Sequence, residues 1–134
     1  MKKICFVLSV FFSVLLLGNC SNKSKKQLTG IWKLNMMDIN NTPIQGSSLG
    51  SWLWEFNEEG GYMVNVAGAI EKGTYKIDKK KLTLTSVTNK DRPDQIYTIA
   101  KLDSTALHLV SASDKNKTSL YFVKVKAEDV GEKD

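Results

Sequence analysis

The sequence predicts an all-β fold, an eight-stranded antiparallel up-and-down barrel, with a β-sandwich as the alternative. Three observations predict it. Beyond Gln27, apolar residues recur with a period near two, which is the strand signature, and helix signals are scarce. Turn residues break that pattern at even spacing. The connections are mostly short, so sequential strands become antiparallel neighbours and no long crossover is needed. Closing such a meander into a barrel removes the unpaired edges that invite aggregation. The chain divides into an N-terminal address segment (1–19), a tether (20–26), the barrel (27–126) and a charged tail (127–134).

The strands follow in order. Residues 28–37 (LTGIWKLNMM) form the first, with Ile31 and Trp32 at its middle. Residues 38–50 are the longest loop, rich in Asn, Gly, Ser and Thr, with room for one helical turn. Residues 51–57 (SWLWEFN) carry Trp52, Trp54 and Phe56 on one face. Glu58-Glu59-Gly60-Gly61 is a hairpin turn leading to 62–67, where Tyr62, Val64 and Val66 share a face. Residues 70–78 pair Tyr75 with Ile77, and a lysine turn at 79–81 leads to 82–87 (LTLTSV). A polar loop at 89–93 precedes 95–102 (QIYTIAKL), with Tyr97 and Ile99 on one face and Ile96 and Ala100 on the other. Residues 106–112 and 117–125 complete the set of eight.

The N-terminus has its own logic. Lys2 and Lys3 precede an apolar run over 4–17, too short for a confident membrane span and suited to the core of a signal peptide. It ends in Leu17-Gly18-Asn19-Cys20, which resembles a bacterial lipoprotein signal, with Asn19 where a smaller residue is usual. The resemblance implies cleavage before Cys20 and acylation of its thiol by chains such as palmitate. Cleavage also removes Cys5, so no intramolecular disulfide remains. Each buried acyl CH₂ adds roughly 0.8 kcal/mol of membrane affinity, so several chains make a stable anchor. Residues 21–26 (SNKSKK) read as a flexible, solvated spacer whose lysines can touch anionic headgroups. No acidic pair of the kind that resembles surface-export signals follows Cys20. The expected location is the cell envelope, periplasm-facing on the outer membrane.

The formal charge of +5 overstates any affinity for nucleic acid. From Gln27 to Val125 there are 12 basic and 10 acidic residues, and export from the cytoplasm also argues against that partner. With one histidine and two cysteines in 134 residues, material for a metal cage is scarce, and no cofactor motif appears. His108 points opposite to Leu107 and Leu109, without a second histidine or a nucleophile elbow to support catalysis. Glu58 and Glu59 sit in a turn, where solvation accounts for them. No catalytic residue is assigned and the expectation is a non-enzyme.

Gly30-Ile31-Trp32 resembles the Gly-x-Trp motif of lipocalins, in which the tryptophan plugs one barrel end. The wider pattern is similar to small lipocalin-like lipoproteins of Bacteroidetes: LTGIWKL, WEFN, EGGY, then KGTYKID ahead of LTL. The resemblance spans about 28–125 and implies a lipocalin-like barrel with Gly30 and Trp32 at its closed end. Two features depart from true lipocalins. The second, Asp-containing signature near mid-chain has no match. The arginine that packs on the tryptophan from the last strand is also absent, and Lys124 is placed to substitute through a cation–π contact. Trp52, Trp54, Phe56, Tyr62, Val64 and Tyr75 are the candidate ligand-binding residues, either as the wall of a cavity for a small hydrophobic ligand or as ordinary core. The alternative function is protein interaction, as an envelope assembly subunit or inhibitor, through the 38–50 loop.

Overall fold

The computed structural model describes residues 19–49, 51–112 and 115–130. The signal segment up to residue 18 and the tail end at 131–134 lie outside the described residues. In chain order the elements are α1 (Asn19–Leu28), β1 (Gly30–Ile39), β2 (Thr42–Gln45), a 3₁₀ turn (Gly46–Leu49), β3 (Trp52–Phe56), β4 (Gly61–Val66), β5 (Ala69–Asp78), β6 (Lys81–Ser86), β7 (Gln95–Leu102), β8 (Ala106–Ala112), β9 (Lys117–Val125) and α2 (Ala127–Val130).

Strands β3 to β9 pair antiparallel with their sequence neighbours, and β1 pairs with both β3 and β9. That last pairing closes the ring, so the fold is an eight-stranded antiparallel barrel and not a sandwich. A ninth strand, β2, corrects the reading of 38–50 as a loop. It pairs with Met36–Ile39 of β1, beyond the stretch Gly30–Lys33 that pairs with β3. Asn40 and Asn41 both adopt positive φ (52° and 67°), the two-residue hairpin conformation that asparagine tolerates. The expected helical turn is the 3₁₀ segment that follows, and it seats Leu49 in the core at 5% exposure.

Alternation along each strand sends one set of side chains inward. Trp32, Leu34, Trp54, Phe56, Leu82, Leu84, Tyr97, Ile99, Leu107, Leu109, Leu120 and Phe122 are buried, while Ile96 on the opposite face is exposed. A bulge between Leu34 and Met36 shifts the register of β1 against β9. Bulges re-aim side chains, and past this one Met37 is the residue that packs against the core.

The tether reading of residues 20–26 is corrected as well, because they lie within α1. Composition alone hid this, since the helix is polar except at its end. What holds it is tertiary. Leu28 is fully buried, its carbonyl accepts a hydrogen bond from Trp32 Nε1 at 2.8 Å, and Thr29 Oγ1 donates to the Lys25 carbonyl at 2.8 Å. Lys25 and Lys26 occupy the last turn, where positive charge favours the helix dipole. Lys25 Nζ also stands 6.0 Å above the Tyr75 ring. The helix thus lies across the end of the barrel that Trp32 plugs, and the opposite end is left as a mouth.

Candidate functional site

Because the strands alternate in direction, the start of β3, the β4–β5 turn and the β6–β7 loop meet at the mouth. A cavity of about 520 Å³ opens there. Its apolar side is Met37, Trp52, Trp54, Val64, Val66 and Leu120, and its polar side includes Glu71, Arg92, Gln95, Ser111 and Thr118. This volume lies within the range of small-molecule sites, which combine apolar walls with a few placed polar groups.

Register explains the apolar side. Trp54 faces Val64 and Trp52 faces Val66 across the β3–β4 ladder, so the aromatic stripe and its partners sit on one inner surface. Trp54 forms the floor. Its ring centroid lies 5.0 Å from Phe122, 5.8 Å from Tyr97 and 6.3 Å from Phe56, the edge-on and tilted geometries that aromatic quadrupoles favour. Phe56 continues this stack to Tyr75 at 5.2 Å.

Of the six residues expected to bind ligand, Trp52, Trp54 and Val64 line the cavity. Phe56, Tyr62 and Tyr75 are core residues at 1%, 5% and 6% exposure. Tyr75 is held towards the closed end, where its hydroxyl donates to the Asn57 carbonyl at 2.7 Å. Tyr62 reaches the mouth only through its hydroxyl, which donates to Glu71 Oε1 at 2.9 Å. The other oxygen of Glu71 accepts from Arg92 in an ion pair. Burial, the bond to Glu71 and the Glu71 charge together push the Tyr62 phenol up to about 12.

The polar side was missed in the sequence. Glu71 falls on an inward position of β5 and Arg92 in a loop, and no short motif joins them. The signal was there in principle, as an acidic residue breaking the inward alternation of a strand whose other inward positions are Gly73, Tyr75 and Ile77.

At the closed end, Gly30 opens β1 and Trp32 follows two residues on. Trp32 is fully buried, and Lys124 Nζ lies 5.1 Å from its ring centroid. Lys124 therefore stands where the lipocalin arginine was absent. His108 is outside the barrel, stacked on Tyr121 with centroids 4.0 Å apart, and desolvation followed by the Lys117 charge lowers its pKa. Among the described residues no group of three or more His, Cys, Asp or Glu side chains is arranged to hold a metal ion. No helix among them is long and apolar enough to cross a membrane.

Comparison with known proteins gives three findings. Residues 28–109 match the family model described as a lipocalin-like domain. A crystal structure of a lipocalin-like protein from Bacteroides uniformis ATCC 8492 superposes with a TM-score of 0.58 at 17% identity, covering 74% of this chain and 99% of that one. One of an uncharacterized protein from Bacteroides eggerthii DSM 20697 gives 0.58 at 15%, covering 73% and 99%. At such identities the likeness concerns the fold alone. No match was found among curated proteins.

Proposed function

The chain belongs to the lipocalin-like domain family, and from that premise we propose that it is a lipid-anchored binding module of the cell envelope, non-enzymatic, that takes a small hydrophobic ligand into its barrel mouth. The observation that carries this reading is the 520 Å³ cavity walled by Trp52, Trp54, Val64 and Leu120 at one end of a barrel closed at the other. A purely structural barrel has no need of such a space, since eight strands can fill their interior with side chains.

Native mass spectrometry of the purified protein, followed by lipid extraction, tests it. A bound small molecule is expected, and Leu120→Trp, which fills the cavity, is expected to lose it. A protein that is empty before and after that substitution overturns the carrier reading. Anchoring rests on the Leu17-Gly18-Asn19-Cys20 sequence and is tested apart. Cys20→Ser is expected to abolish palmitate labelling and to release the protein from membranes. Retention of the unlabelled variant in membranes would mean that the apolar N-terminus stays as the anchor.

A protein-interaction role has one supporting observation. Strand β2 folds residues 42–45 back on β1 and presents Thr42, Pro43 and Gln45 to solvent on an ordered support. If this platform binds an envelope protein, charge substitutions at Thr42 and Gln45 will lose a cross-linked partner while ligand content stays the same.

A further inference from the structure

The cavity is chemically lopsided, and that asymmetry bears on what fits it. Resting on the reading of the mouth as a ligand site, we infer that the ligand is a compact ring compound bearing a hydrogen-bond acceptor, seated on the Trp54 indole, and not an extended acyl chain.

The packing of the interior carries the first part. Phe56 and Phe122, at 1% and 2% exposure, Leu82, Leu84, Leu107 and Leu109, each at 1% or less, and Trp32, which pairs with Trp54 across the β1–β3 ladder and is fully buried, fill the barrel beside the cavity. A long acyl chain needs a channel along the axis, and here the packed core blocks it. What remains is a chamber whose lining includes the aromatic side chains of Trp52, Trp54 and Tyr97, a composition that suits a ring.

The balance of donors and acceptors carries the second part. Trp54 Nε1 is buried and has no hydrogen-bond partner within the protein, although its side chain forms part of the cavity wall. The residue as a whole is only 4% exposed. A buried N–H left unpaired is costly, so a small shift of the indole that brings it against a ligand acceptor is rewarded. The carboxylate of the cavity is already engaged, since one oxygen of Glu71 takes the Tyr62 hydroxyl and the other takes Arg92. Arg92 spends one N–H on that pair and keeps further donors of its fork. The unpaired Trp54 N–H and the spare N–H groups of Arg92 are donors, and the complementary ligand supplies acceptors such as carbonyl or carboxylate oxygens.

The test uses the full chain purified in detergent and three probes in equilibrium dialysis: 2-acetonaphthone, 2-ethylnaphthalene of matching shape without an acceptor, and palmitate. The ketone is expected to bind at least tenfold more tightly than the hydrocarbon, with palmitate failing to compete. Trp54→Phe, checked for cooperative thermal unfolding, is expected to collapse the ratio toward one. In the unmutated chain, the Trp54 indole proton should move downfield in NMR spectra with the ketone and not with the hydrocarbon. Palmitate competing for the site, or a Trp54 proton indifferent to the ketone, overturns this inference and leaves the carrier reading standing. No saturable binding by any of the three removes the carrier reading, and this inference with it.

Discussion

Single residues set the two ends of this barrel apart. Tyr62 lies directly across the β4–β5 ladder from Gly73, and a methyl group built on Gly73 would meet the Tyr62 ring at 2.6 Å and the Thr85 carbonyl closer still. An aromatic ring over a strand glycine compensates for the side chain that glycine lacks. Gly73→Ala is therefore expected to destabilise by about 3 kcal/mol, the upper end for overpacking, measured as a shift in the urea midpoint. The hydroxyl of the same tyrosine makes a pH prediction. Its folded pKa of about 12 lies above the ordinary value of 10.0, so the folded state holds this proton more tightly than the unfolded chain does. The associated stability is complete below pH 10 and is lost as the pH rises toward 12. Ultraviolet titration of tyrosinate absorbance against chemical unfolding checks the sign, and Glu71→Gln should bring the phenol back down. Ala67 is a third case. It holds a positive φ of 52° beside Gly68 in the β4–β5 turn. Ala67→Asn creates the Asn-Gly pair favoured there and should stabilise by about 1 kcal/mol.

Among the elements, α1 and β2 were the least legible in the sequence, for related physical reasons. A strand that buries one face writes its alternation into the sequence, and all eight barrel strands could be read from it, several with boundaries matching to the residue. Helix α1 buries little besides Leu28, so its evidence in the sequence is one leucine after a run of Lys, Ser and Asn. Its stability comes from contacts made across the fold, above all the Trp32 bond to the Leu28 carbonyl. Strand β2 is four residues long and largely exposed, so it buries too little to write an alternation into the sequence. The mouth was half legible in the same way. Its aromatic wall follows from the stripe on β3, while Glu71 and Arg92 meet only after the sheet closes, 21 residues apart in the chain. Leu28→Ala tests the dependence of α1 on the barrel. A cost of about 2–5 kcal/mol is expected, with the amides of α1 losing protection from hydrogen exchange before those of β1.

At the scale of the whole molecule, closure joins the chain's first barrel strand to its last. The β1–β9 ladder runs from Ile31 paired with Val125 to Ile39 paired with Thr118, broken only by the bulge. No other pairing in the ring spans so much sequence, and loop-closure entropy must be met before it forms. Removing residues 117–125 would leave β1 and β8 as open edges. The truncated chain is expected to aggregate on size-exclusion chromatography even if its far-UV circular dichroism keeps β character.

The helix across the closed end also fixes a direction. The helix over Asn19–Leu28 contains Cys20 and is fastened to the barrel base at Leu28, whose carbonyl takes the Trp32 indole N–H. Under the proposed acylation of Cys20, helix α1 is the link between the anchor and the barrel base. The protein would then stand on the membrane like a cup on its base, rim toward the water. Cargo would arrive and leave from the aqueous side, and the bilayer would hold the vessel without filling it.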